Sequence, residues 1–216
     1  TVDLARGRGA KVVAIVNRRN SDLTDKADGV LYTADGRDVE MSVASTKAFY
    51  SQIAAGMLLA YGIAAEIPGA RTADDPEEQE VLAALAVLPA VLKATLEVRP
   101  QAAEAAQRYA VSRRYWALVG NGPNIISARE VRIKLSELCY KSIACDATED
   151  KKHIDLSSEP LILVCAAGLV GSTADDVGKE IAIFRAHKAA PIVIATEGAS
   201  EFTAAAHVIS VPETHP

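Results

Sequence analysis

Seven short apolar runs, rich in valine and isoleucine, punctuate this chain: Val12–Val16, Gly29–Tyr32, Trp116–Val119, Ile143–Cys145, Leu161–Cys165, Ile192–Ala195 and Val208–Val211. Each is too short for a helix and suits a strand buried on both faces, and helix-length stretches separate most of them. That alternation predicts βαβ units and parallel sheets. Thr1–Arg8 reads as the end of a helix, because Gly9 supplies a stop and a strand follows at once. No start signal precedes it, so the first domain is expected to be incomplete at its N-terminus.

Between the two groups of strands lies a helical connector. It opens with Asp75-Pro76-Glu77-Glu78, in which Asp75 can cap, Pro76 suits the first helical position and Glu78 completes a capping-box-like pattern. Val81, Leu82, Leu85, Leu88 and Leu92 follow at helical spacing. Pro89 lacks an N–H and is expected to kink or divide that helix. A second helix is expected from Arg99 to about Val111. The reading places domain boundaries at 1–70, 71–112 and 113–216.

Composition narrows the partners. The 216 residues carry 23 Lys and Arg against 28 Asp and Glu, a net charge of −5, which argues against a non-specific nucleic-acid binder. No uninterrupted apolar run reaches the roughly 18–20 residues of a membrane span, and no signal peptide is evident, so the expected location is cytoplasmic with no membrane partner. Cys139, Cys145 and Cys165 form an odd set without CxxC spacing, which points to free thiols rather than disulfides or a metal site.

Ser42-Val43-Ala44-Ser45-Thr46-Lys47-Ala48-Phe49 joins a polar loop to a helix expected from about Thr46 to Ala65. Hydroxyls and free amides at such a start can cap the helix or hold a sugar hydroxyl or phosphate. The helix is apolar around most of its circumference, so burial on several sides, including a subunit interface, is expected. The heptad Val43–Phe49 resembles the signature of the isomerase half of the glucosamine-6-phosphate synthase family. The likeness extends from Gly9-Ala10-Lys11-Val12 through Leu88-Pro89 to a second domain starting near Tyr115.

The resemblance implies an α/β architecture of two flavodoxin-like sugar isomerase (SIS) domains with parallel sheets, joined by helices. It also implies conversion of fructose-6-phosphate to glucosamine-6-phosphate, no cofactor and a homodimer, with sugar-phosphate contacts at Val43 and Ser45. The family's Ser-Gln-Ser-Gly-x-Thr phosphate loop and its C-terminal lysine have no counterpart here, so these 216 residues alone are expected to be inactive.

A helix expected from Asn124 to Tyr140 carries Glu130, Lys134, Glu137 and Lys141 on one face, with Ala128, Val131, Leu135 and Leu138 on the adjoining apolar face. Read from spacing, the charges are a solvated ladder or the lining of a cleft. The resemblance implies that Lys134 and Glu137 lie at the isomerase site, with Tyr140 matching a tyrosine that follows. Moving a proton between C1 and C2 needs a base, a task suited to Glu137, while Lys134 can steady the developing oxyanion.

Downstream, Glu149–Asp155 occupies the place of the family's Glu-Leu-Lys-His-Gly-Pro loop, which puts His153 on the histidine of sugar-ring opening. Ile154-Asp155 departs from glycine-proline. Gly120–Asn124 reads as a tight turn or an anion nest, and Gly168–Thr173 lacks the lysine of a P-loop. There Ser172 or Thr173 is expected to cap the next helix, with Lys179, Glu180, Arg185 and Lys188 as its solvated face. Related SIS amino-sugar isomerases, fructosamine-phosphate deglycases and non-catalytic sugar-phosphate sensors remain alternatives to the synthase reading.

Overall fold

A computed structural model of the chain describes residues 1–34, 40, 44–69 and 75–215, which fall into two compact units, Thr1–Leu82 and Ala83–Pro216. In the first unit, helix α1 (Val2–Gly7) precedes strand β1 (Val13–Val16), helix α2 (Asp22–Lys26), strand β2 (Gly29–Tyr32) and helix α3 (Lys47–Glu66). The stop after α1 is as expected, since Gly9 has φ +82°, open to glycine without steric cost. β1 and β2 pair in parallel from Val13↔Gly29 to Val16↔Tyr32. A Ser21/Thr24 capping box starts the intervening α2.

The long helix α3 leaves Tyr50, Ile53, Met57, Leu58 and Ile63 exposed in the single chain, and only Ala48 is buried. Two helical stretches among the described residues, Lys47–Glu66 and Pro76–Ala110, are long and apolar enough to cross a membrane. This corrects the expectation drawn from uninterrupted runs: isolated polar residues such as Ser51 and Gln52 break a run without lowering the average of a window. Helices of soluble domains meet the same criterion, so it assigns neither environment.

Helix α4 (Pro76–Thr95) begins as its sequence foretells, with Asp75 Oδ1 accepting from the amides of Glu77 at 3.0 Å and Glu78 at 3.4 Å. It runs through Pro89 as one helix. A 3₁₀ turn then leads to α5 (Arg99–Ala105), which continues as a π-helical stretch to Ala110.

The second unit is built on one five-stranded parallel sheet. Its elements are β3 (Trp116–Gly120), α6 (Pro123–Cys139), β4 (Ala144–Ala147), α7 (Thr148–Lys151), β5 (Leu161–Cys165), α8 (Gly171–Ala186), β6 (Ala190–Thr196) and β7 (His207–Val211). The strand order is β4-β3-β5-β6-β7. This is the flavodoxin-like order, in which the chain reverses its direction of winding between the first and third strands.

Because side chains alternate along a strand, Leu118 and Val119 face opposite ways. Val119, Ile162, Val164 and Val193 pack with Val177, Ile181 and Phe184 of α8 and with Leu156. Leu118 and Cys165 pack with Ala128 of α6, against which Val131 and Leu135 are partly buried. Leu138 does not continue that buried face and is exposed. All seven predicted strands are present, each within two residues of its expected ends.

Candidate active site

The start of α3 is held differently from the sequence reading. Neither Ser45 nor Thr46 caps it with a side chain: the carboxylate of Glu40 accepts from the Thr46 amide through Oε1 and from the Ala48 amide through Oε2, each at 2.8 Å. The Ala48 and then the Thr46 amide hold the Glu40 carboxyl below the usual glutamate range. Ser45 is half-buried, while Val43 lies outside the described residues. Glu40 had no local signal, because a residue six positions before the cap residue Thr46 reaches it only through the fold.

In the second unit, α6 starts from the turn Gly120-Asn121-Gly122, where Asn124 N donates to Asn121 O at 3.0 Å and Ile125 N to Gly122 O at 3.2 Å. The turn reading therefore holds, and those two amides are used within it. Asn124 Nδ2 ties the first turn of α6 to Ala167 O at 2.9 Å. Gly120 is required by proximity, for a Cβ there would lie 2.5 Å from the Asn124 carbonyl oxygen.

Lys134 lies eleven residues beyond Pro123, so about 16 Å along α6 at 1.5 Å per residue. Its ammonium pairs with Glu130, one turn earlier, and the two side chains are only 16% and 20% exposed. Glu137, on the next turn, is exposed and has no side-chain partner among the described residues. Tyr140 ends the helix in the left-handed region, φ +51°, and is 95% exposed.

His153 is exposed too, on a turn after α7. Its neighbour Lys152 donates to Glu180 Oε1 of α8 at 2.7 Å, which places the turn on the α8 side of the sheet. Lys134 and Glu137 are on α6, across the sheet. One copy of the unit thus brings Lys134 and Glu137 onto one face but does not bring His153 to them.

Cavities flank the second sheet among the described residues. One, of about 380 Å³, is lined by Asn121, Glu149, Thr173, Asp176, Lys179 and Glu180. Another, of about 280 Å³, is lined by Asn124, Ser127, Gly168, Thr196 and Thr214 among others. These two flank the carboxyl ends of β3 and β5, where ligands collect in such folds. The third, of about 460 Å³, is an apolar groove between α5 and α6 that includes Trp116, Leu135 and Ile194. Lys134, Glu137 and His153 line none of these.

Two further expectations need correction. Helix α8 begins at Gly171 with Val170 as its cap residue and no side-chain cap bond, so Ser172 and Thr173 lie inside its first turn. Glu180 is not on a solvated face: its side chain is 13% exposed and bonded to Lys152. The three cysteines are free; Cys139 is exposed, Cys145 half-buried and Cys165 buried. Burial pushes the Cys165 thiol up to about 12, so it is a neutral packing group and not a nucleophile. Among the described residues, no group of His, Cys, Asp and Glu is arranged to hold a metal ion.

The SIS-domain family pattern matches residues 1–61. The glutamine–fructose-6-phosphate aminotransferase [isomerizing] of Thermus thermophilus is 34% identical over 215 residues, covering 98% of this chain and 34% of the relative. That of Thermotoga maritima is 30% identical over 223 residues, covering 100% of this chain and 35% of the relative. The chain is a SIS-domain protein. It is homologous to the C-terminal, isomerase domain of those aminotransferases and spans about a third of their length.

A solved structure agrees on the fold. The C-terminal domain of glucosamine-fructose-6-phosphate aminotransferase from Francisella tularensis superposes with a TM-score of 0.75 at 21% identity, covering 100% of this chain and 60% of that one. The two parallel sheets with their intervening helices are accordingly tandem flavodoxin-like SIS domains joined by helices.

Proposed function

We propose that this chain is the isomerase part of a glutamine–fructose-6-phosphate aminotransferase, acting on fructose-6-phosphate to give glucosamine-6-phosphate. The observation that carries the reading is collinearity: the heptad at Val43–Phe49, the Glu130/Lys134/Glu137 face and His153 occur in family order along a chain aligned over 98% of its length. In this reading Val43 and Ser45 contact the sugar phosphate, and His153 exchanges a proton with the ring oxygen to open the sugar. Glu137 then shuttles the proton between C1 and C2, while Lys134 steadies the enediolate or enolamine charge. Glu130 holds the Lys134 ammonium in the meantime, on the same face as Glu137.

One observation favours a second reading, an SIS amino-sugar isomerase, a deglycase or a sensor. Asp155 has φ +45°, whereas proline is locked near −65°. A loop ending in glycine-proline cannot follow this path, so the His153 turn has its own geometry.

The test uses a chimera in which these residues replace the homologous segment of the Thermus thermophilus enzyme. Glu137→Gln should lower isomerisation by about 10² to 10⁴, the scale of a lost proton-transfer group, with the circular dichroism spectrum unchanged. Unchanged turnover would return Glu137 to the solvated ladder. A chimera that binds hexose phosphate without turnover, with or without Glu137, would support the sensor.

A further inference from the structure

Nothing in the side chain of His153 fixes its position, since it is exposed and without a partner among the described residues. What holds it is its own turn. His153 N donates to Asp150 O at 3.0 Å and Ile154 N to Lys151 O at 3.1 Å, closing the backbone around it. On the amino side Lys151 is 4% exposed, and on the carboxyl side Leu156 is 5% exposed within the α8 core.

Between these two anchors, one bond crosses from the turn to a long helix. Lys152 Nζ donates to Glu180 Oε1 at 2.7 Å, with side chains 24% and 13% exposed, and has a longer contact of 3.6 Å with the exposed Glu149. The Glu180 contact is a charge-assisted hydrogen bond in a partly desolvated place, stronger than its exposed counterpart. Glu180 Oε2 is buried with no partner among the described residues. Lys152 is therefore the cation that balances a largely buried carboxylate, and its loss leaves that charge uncompensated.

We propose that Lys152 and Glu180 are positioning residues, an ionic clamp that holds the His153 turn against α8. The inference rests on the reading of His153 as the ring-opening residue. It gives the turn around Ile154-Asp155 a side-chain bond to the next helix that keeps its shape. Hydrogen bonding to Glu180 raises the Lys152 pKa, which favours its charged, donating form.

The test compares wild type with Lys152→Met, which keeps the side-chain length and removes the charge, and with Lys152→Arg, which restores it. Amide hydrogen exchange by NMR should speed up about tenfold or more at His153 and Ile154 in the Met variant, the imidazole resonances should narrow, and Val193 and Ile194 in the sheet should not change. The Arg variant should recover most of the protection. Unaltered exchange at His153 and Ile154, or equal acceleration in the sheet, would overturn the clamp. Should Lys152→Met fail to fold, Glu180→Gln gives the same comparison, as does the exchanged pair Lys152→Glu with Glu180→Lys, which should restore protection.

Turnover in the chimera separates the two ideas. If the clamp serves catalysis, Lys152→Met lowers kcat with little change in KM, and Lys152→Arg rescues it. If His153→Ala leaves turnover intact, the ring-opening reading falls, while the exchange measurements still decide the clamp.

Discussion

Replacing Gly120 by alanine should be disproportionately harmful for the addition of one methyl group. The new Cβ would meet Asn124 O at 2.5 Å, Asn124 C at 2.6 Å and Ile125 N at 2.9 Å, all backbone atoms of the first turn of α6. Reaching ordinary contact at about 3.4 Å requires a shift of roughly 0.9 Å between β3 and that turn. The turn cannot yield freely, because Asn124 is bonded to Ala167 and Ala128 is fully buried on the sheet. Overpacking of this kind costs about 1–3 kcal/mol, and a clash with backbone belongs to the upper half of that range.

With a urea slope of about 2 kcal/mol/M, the unfolding midpoint of the second unit should fall by about 1 M. Trp116, the one tryptophan of the chain, sits in β3 and reports that transition by fluorescence. Gly56→Ala is the contrasting control. It lies inside α3 with open space at the Cβ position, so helicity of the first unit should rise by the usual preference for alanine, about 0.5–1 kcal/mol, read by circular dichroism. An unchanged Trp116 midpoint in Gly120→Ala would show that β3 and α6 do not approach as closely as described.

Glu40 gives a pH prediction. Its carboxyl is depressed in the folded state, so the stabilisation is complete above about pH 4.5 and is lost as pH falls through the folded value. The thermal midpoint of the first unit should drop on acidification, and Glu40→Gln should remove that part of the dependence; an identical acid profile in the variant would refute it. A subunit-mixing experiment in the chimera addresses the separation of His153 from Lys134 and Glu137 by the sheet. Inactive His153→Ala and inactive Glu137→Gln proteins, exchanged into mixed dimers, should regain part of the activity if the histidine works across the dimer. No recovery, with exchange verified by mass, would place it in cis.

The sheet was legible because buried parallel strands are written as uninterrupted apolar runs, and the capping of α4 because Asp75, Pro76 and their amide partners are neighbours in sequence. The charged face of α6 was equally local, since residues three and four apart share a face whatever the tertiary context. What escaped was long-range. Glu40 at α3, and Glu180 beneath Lys152 some 28 residues away, are ordinary surface glutamates by every local rule, and only packing makes them caps and counter-ions. Ser172 and Thr173 failed as caps for a related reason: the loop after β5 lets α8 begin at Gly171, two residues earlier than a Ser172 cap would have it, and no propensity fixes that boundary.

The strand order of the second unit also sets a schedule for its assembly. β6 and β7 join residues 15 apart, Ile192 with His207, whereas β3 must find β5 across 45, Trp116 with Leu161. The threefold difference in span costs about 1 kcal/mol more in closure entropy for the central pair. No hairpin relieves this in an all-parallel sheet. The carboxyl-terminal ladder should therefore zip before the middle of the sheet closes, and pulse-labelled exchange should find Val208 and Ile209 protected ahead of Leu118 and Val119. Until that closure the apolar edges of β3 and β5 are open to other chains, so dilution and low temperature during refolding should favour the native yield.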